Sequence, residues 1–200
     1  MPIITSIKSQ KNKKRVNIYL DEKFGFGLDL ENFVTLGLKV EQFLSEEEVV
    51  EIIKKAEFQK FNDKLIRFTS LRPRSVKEIE TWMKKHQTPG TIQKDLFGRL
   101  SQLELVGDER FAKWWVGQRI EFKKKSKREI VQELRIKGID KEIIEEVMEE
   151  LPIDDISSAK QLLEKYSYKW GKFDPPTAKR KKSEYLARKG FSWEVIKKLI

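Results

Sequence analysis

Two hundred residues are enough for one large or two small domains with a real core. Charged residues make up 37% and hydrophobic residues 38%. No apolar run approaches the ~20 residues that span a bilayer, so a soluble, helix-rich chain is expected and a membrane protein is not. There is no cysteine, which removes disulfides, thiol nucleophiles and cysteine-based metal sites. That is compatible with a reducing cytoplasm, and "MPIITSIKSQ" lacks the basic start and apolar stretch of a secretory signal.

The net charge of +10 is unevenly placed. Residues 1–60 hold ten Lys/Arg and ten Asp/Glu, whereas residues 61–200 hold 32 and 22. The whole excess therefore lies in the second segment, which implies a polyanionic or acidic partner for it.

The chain opens with short alternating stretches, "IITSIKSQ", "RVNIYLD" and "FGFGLD", which predict strands of a small β unit. Val16, Ile18 and Leu20 share one face, and "DEK" at 21–23 fits a hairpin turn without a glycine. Gly25 and Gly27 inside the third strand predict a bulge or a close backbone approach. Ser45 with Glu48 forms a capping box, so a helix is expected to about residue 60.

From about residue 61 the pattern is helical and repeats. "KREIVQELRIKGIDKEII" at 127–144 recurs as "KRKKSEYLARKGFSWEVI" at 179–196, an offset of 52 residues. Ser126 and Glu129 read as a capping box, Ile130 and Leu134 as a buried face, and Gly138 as the left-handed residue ending the helix. Asp140 is placed to cap the next helix, with Ile143, Val147 and Leu151 as its stripe. A helix at about 108–122, opened by Asp108 and carrying Phe111, Trp115 and Ile120, precedes these and completes a three-helix unit.

Laid over 154–200, the same unit has Asp154 or Asp155 at its opening and Ala159 matching Ala112. Pro175 and Pro176 break the chain before its second helix, and Gly190 matches Gly138. Its last helix, from 193, is shorter than its counterpart, which reads as an abrupt or truncated end. A fainter copy at 61–105 sets Ser75, Glu78, Ile79 and Met83 over Ser126, Glu129, Ile130 and Leu134. There Gln87 replaces the glycine, so that helix is expected to end differently. The expected organisation is a mainly α fold: a β-containing unit with its linking helix (1–60), then three-helix repeats at 61–105, 106–152 and 153–200, stacked as an elongated array.

Positive charge recurs at one place in each repeat. "RIEFKKKSKR" supplies Arg119, Lys123, Lys124, Lys125, Lys127 and Arg128 against one glutamate. "TAKRKKSEYLARKG" supplies Lys179, Arg180, Lys181 and Lys182, and "LRPRSVK" supplies Arg72, Arg74 and Lys77. Equivalent positions in a stacked array line up, giving a basic track suited to phosphates or to an acidic filament surface. Cations ahead of a helix oppose its dipole by roughly 0.3–1 kcal/mol each, which favours a functional reason for them.

Trp82, Trp114, Trp115, Trp170 and Trp193, with Phe111 and Phe191, are able to stack on bases, but their helical spacing favours core. The lone His86 has no second imidazole with which to share a metal. No Ser–His–Asp order, phosphate loop or dinucleotide fingerprint is present, so neither an enzyme nor a cofactor is expected.

"LVGDERFAKWW" (105–115), "SKREIVQELRIKGI" (126–139) and "RPRSVKEIETWMKK" (72–85) resemble the RecX family of recombination regulators. "ITSIKSQKNKKRVNIYLDEKFGFGLDLENF" resembles the N-terminal extension of its longer members. Asp108, Phe111 and Ala112 match the family motif and read as cap and packing residues. The third unit has "DDISSAK" in place of the full opening. The resemblance implies a monomeric cytoplasmic modulator of the recombinase RecA, acting in DNA repair, recombination and the SOS response. It further implies binding in the groove of the RecA filament on single-stranded DNA, restraint of strand exchange and ATP hydrolysis, and direct binding of single- and double-stranded DNA. The rival readings are a helix-turn-helix transcription regulator, disfavoured by the acidic "DKEIIEEVMEEL", and a general nucleic-acid binder or nuclease, for which no convergent carboxylates stand out.

Overall fold

The alternating N-terminal stretches form an antiparallel sheet in the order β1 (Ile4–Ser9), β2 (Arg15–Leu20), β3 (Lys23–Asp29). The structure is a computed structural model that describes residues 1–11 and 13–200. The β2–β3 turn consists of Asp21 and Glu22, both left-handed at φ 46° and 66°. Two such residues make the tight hairpin geometry that usually recruits glycine. Here hydrogen bonds to β1 hold it: the Asp21 carboxylate accepts from the Ile3 N–H, and the Glu22 N–H donates to the Thr5 hydroxyl. Gly25 sits at the expected bulge, where the pairing slips from Ile18–Phe26 to Tyr19–Phe24. A Cβ there would lie 2.9 Å from the Leu20 side chain.

One sheet face buries Ile4, Val16, Ile18, Phe26 and Leu28 against Ile52 and Ala56 of the helix that begins at Glu46. Burial of each such large side chain is worth roughly 1.5–3 kcal/mol. Helix α1 (Leu30–Leu36) is capped by Asp29 and ended by Gly37. Helix α2 starts at the expected Ser45–Glu48 capping box but runs unbroken from Glu46 to Ser70. No glycine or proline interrupts it, and Phe61, Leu65 and Thr69 prolong its buried stripe. It stops where Pro73 disfavours helical geometry for the residue before it. Helix α3 spans Val76–Lys85, and helix α4 (Gly90–Gln102) packs on α2 through a face carrying Ile92, Leu96 and Leu100.

Two compact units result. The first is Met1–Arg72 with Trp82–Leu105; the second is Pro73–Thr81 with Val106–Ile200. The second unit takes the start of α3 and two tandem three-helix sets: α5 (Asp108–Gln118), α6 (Lys127–Ile136), α7 (Lys141–Glu150), then α8 (Asp155–Lys165), α9 (Pro175–Arg188), α10 (Trp193–Leu199). Phe111, Ala112, Ile130, Leu134, Ile144 and Val147 form one core. Ala159, Leu162, Leu186, Phe191 and Ile196 form the other. The α5 register continues as a π-helical turn, Arg119–Lys123, closed by Lys124 at φ 50°.

The repeated helix ends by the same device each time. At Gly138 and Gly190, φ is 81° and 77°, and the next residue's N–H reaches back to Leu134 and Leu186. That is the paired-bond stop of a left-handed C-terminus. Contrary to expectation, α3 ends identically: Gln87 takes φ 52°, and the Thr88 N–H donates to the Met83 carbonyl. The tertiary frame imposes on glutamine a conformation that glycine adopts freely. Among the described residues no helix is long and apolar enough to cross a membrane.

Candidate nucleic-acid interface

In the second unit, α3 and α6 begin after serines, Ser75 and Ser126, that are fully buried at 0% exposure. Each hydroxyl accepts from the backbone N–H three residues on, at 3.2 and 3.3 Å. Each donates to a lysine carbonyl of the following three-helix set, Lys137 at 2.9 Å and Lys189 at 2.8 Å. The next N–H groups, of Val76 and Lys127, both donate to a carboxylate 2.8 Å away, those of Asp108 and Asp155. Serine, lysine and aspartate thus recur as one junction, used twice.

Asp108 therefore does not cap its own helix as the sequence suggested. Gly107 holds that position and makes no side-chain cap bond, while Asp108 caps α3 from outside. Likewise Asp154 caps α8 through the Ser157 N–H, freeing Asp155 for α6. The expected capping box at Ser126 keeps only its serine half, because Glu129 pairs with Lys125. Asp140 stands at the N-terminus of α7 without a side-chain cap bond. Burial raises the Asp108 carboxyl above its usual range, the Val76 N–H opposing this and the charges of Asp140 and Glu80 adding to it. Burial likewise raises Asp155, against the Lys127 N–H.

The junction needs its glycines. A Cβ on Gly138 would lie 2.6 Å from the Lys77 side chain, and one on Gly190 would lie 2.9 Å from the Ser126 hydroxyl and 3.8 Å from Arg128 Cβ. Lys77 and Arg128 thus occupy matching places, each beside the glycine turn of the next three-helix set.

The nominated cations divide into two groups. Several make contacts within the fold. Lys77 stays exposed while its Nζ donates to the Ile136 carbonyl at the C-terminal end of α6, and Arg74 is half-buried, 3.9 Å from Glu78. Arg119 stacks 3.7 Å from the Trp115 ring centroid and donates to Glu133 at 2.6 Å. Lys125 bridges Glu129 and Glu133 at 2.9 and 2.7 Å. Arg72 is half-buried.

Lys123, Lys127, Arg128, Lys179 and Arg180 are exposed, with Lys124, Lys181 and Lys182 half-buried; Arg180 lies 3.5 Å from Glu184. Lys179–Lys182 do not precede their helix as Lys123–Lys125 precede α6. Helix α9 starts at Pro175, capped by Asp174, and carries them within it.

Glu133 escaped the sequence reading. It accepts from Trp115 Nε1, Arg119 Nε and Lys125 Nζ at 2.8, 2.6 and 2.7 Å. Burial alone would raise its carboxyl, but these donors outweigh it and hold the group below its usual range. No local motif marks this carboxylate; only the packing of α5 against α6 brings its donors together. Asp155 and the paired serines did have a signal, their recurrence at offsets of 47 and 51 residues.

Phe111 and Ala112 are fully buried, as their packing role required. Trp115, Trp170 and Phe191 are buried, whereas Trp193 is 69% exposed. His86 is exposed, stacked on Trp82 with ring centroids 4.0 Å apart. Among the described residues no group of His, Asp and Glu side chains is arranged to hold a metal ion.

Three family descriptions match the chain: "Regulatory protein RecX N-terminal domain" over residues 2–45, "RecX, second three-helix domain" over 108–148 and "RecX, third three-helix domain" over 153–200. A regulatory protein RecX of Bacillus subtilis is 33% identical over 198 residues, covering 98% of this chain and 75% of that protein. A regulatory protein RecX of Listeria monocytogenes is 36% identical over 148 residues, covering 74% of this chain and 55% of the relative. A crystal structure of regulatory protein RecX superposes with TM-score 0.67 at 26% identity, over 98% of both chains. That of RecX from Lactobacillus salivarius gives 0.60 at 23% identity over 71% of this chain and 93% of the other, a likeness of fold.

Proposed function

This chain belongs to the RecX family of regulatory proteins, and from that premise we propose that it regulates a RecA-type recombinase. In this reading it binds the recombinase filament on single-stranded DNA in the cytoplasm and restrains strand exchange and ATP hydrolysis without catalytic chemistry of its own. The observation that carries the reading is the twice-used junction. It sets Lys77 and Arg128 at matching places beside Gly138 and Gly190, while Lys123, Lys127 and Arg128 around the start of α6 stay exposed. A polyanion with a regular spacing is the partner such recurring cations suit. Contacts to several neighbouring protomers add through multivalency, so no single one has to be strong. The acidic face of α7, with Glu142, Glu145, Glu146 and Glu149, speaks against insertion of that helix into a DNA groove as in a helix-turn-helix regulator.

The test is DNA-dependent ATP hydrolysis by the recombinase with substoichiometric amounts of this chain. Charge reversal at Lys123, Lys124, Lys127 and Arg128 is expected to shift the half-effective concentration at least about tenfold, while circular dichroism and melting stay those of the parent. A folded quadruple variant that inhibits as well as the parent overturns the role given to these cations. A parent chain without effect on hydrolysis or strand exchange overturns the recombinase reading itself.

A further inference from the structure

The segment "YSYKWGKF" between α8 and α9 does more than connect them. Tyr168, Trp170 and Phe173 line a cleft of about 440 Å³ together with Lys172, Lys181 and Arg188. That is the size range of ordinary ligand sites, ~300–1,000 Å³. Tyr168 is 71% exposed, so the fold gains little from its ring. Lys181 and Lys172 hold their ammonium groups 4.7 and 5.4 Å from the Phe173 ring centroid. The one acid in the wall, Glu184, is already engaged by Arg180 at 3.5 Å. Trp170, packed 5.5 Å from Tyr185, keeps a buried indole N–H with no acceptor among the described residues.

We propose that this cleft in the third three-helix set takes an unstacked base of a single-stranded nucleic acid, its rings holding the base and its lysines and arginine the flanking phosphates. The exposed Tyr168 ring among cations, with the only carboxylate of the wall occupied, fits a planar ring carried on an anionic backbone. A duplex offers no free ring face, and an acidic peptide makes no use of the exposed Tyr168 face. Lys181 belongs to the basic stretch invoked above, so the site extends the proposed nucleic-acid contact from charge alone to base stacking. It rests on that reading only for its nucleic-acid part.

The experiment omits the recombinase, so that its outcome is separate from that of the filament reading. The full chain is titrated against a fluorescent oligothymidylate and against an abasic strand of equal length and charge. The parent is expected to prefer the thymidylate, and Tyr168→Ala to remove that preference, weakening thymidylate binding roughly fivefold or more while leaving the abasic strand unaffected. Lys172→Glu is expected to weaken both strands. Trp193→Ala, which removes an exposed ring of the same set outside the cleft, is expected to change neither. Equal binding of the two strands by the parent, or a preference that survives Tyr168→Ala, overturns the proposal. So does an acidic tyrosine-rich peptide that displaces the thymidylate from the parent but not from Tyr168→Ala.

Discussion

Position 190 requires glycine for two separable reasons. Its φ of 77° lies in the left-handed region, which costs a residue with a Cβ roughly 1–2 kcal/mol. Its Cα also approaches Ser126 so closely that a methyl group would lie 2.9 Å from the hydroxyl, disturbing a bond worth about 1 kcal/mol. Gly190→Ala is therefore expected to lower stability by about 2–3 kcal/mol. Gln87 stands at the matching place of α3 with φ 52°, so Gln87→Gly is expected to raise stability by about 1 kcal/mol. Urea unfolding midpoints read both. A Gly190→Ala chain that unfolds with the parent shows that the close approach does not hold the turn.

At the scale of elements, α3 and α6 begin on carboxylates borrowed from other helices. Asp108→Ala leaves the Val76 N–H without its acceptor and is expected to cost about 1 kcal/mol. Asp108→Asn keeps an oxygen facing that N–H and removes the charge whose burial raises the carboxyl above its ordinary 3.8. The native state thus binds this proton more tightly than the unfolded chain does. Stability must fall as pH rises from 3.8 through the native value, and above it the ionised group carries its burial cost. Asp108→Asn is accordingly expected to match or exceed the parent in melting temperature near neutral pH, with the gap closing in acid. A gap that widens in acid reverses the sign.

The same helices mark how far the sequence could be read. The Ser45–Glu48 box and the Gly138 and Gly190 stops are local, and each set its element as the pattern predicted, whereas Pro175 and Pro176 open α9 instead of breaking the chain before it. The continuation of α2 past residue 60 and the Gln87 stop were not legible in this way. One depends on a buried stripe being sustained by packing, the other on a tertiary frame overriding glutamine's preference. The serine–aspartate junctions were visible as recurrence, yet a recurrence does not say which helix a carboxylate serves.

For the whole molecule, the count of 42 Lys and Arg overstates the cations that a partner meets. Arg119 and Lys125 are neutralised around Glu133, and Lys137 around Glu78, whereas Lys127 and Arg128 are exposed. The two groups should separate by salt. Each cation that neutralises a phosphate of a single strand contributes about 0.7 to the slope of log affinity against log salt, so Lys127→Gln and Arg128→Gln are each expected to flatten that slope by about this amount and leave urea stability within ~0.5 kcal/mol of the parent. Arg119→Gln is expected to do the reverse: it keeps the slope and lowers stability by about 2 kcal/mol, because the Trp115 face and the Glu133 carboxylate lose their shared partner. Oligonucleotide titrations at several salt concentrations, paired with urea unfolding of the same proteins, decide the matter. A slope that falls for Arg119→Gln and holds for Lys127→Gln inverts the division, placing the stacked guanidinium on the partner and the exposed lysine in the fold.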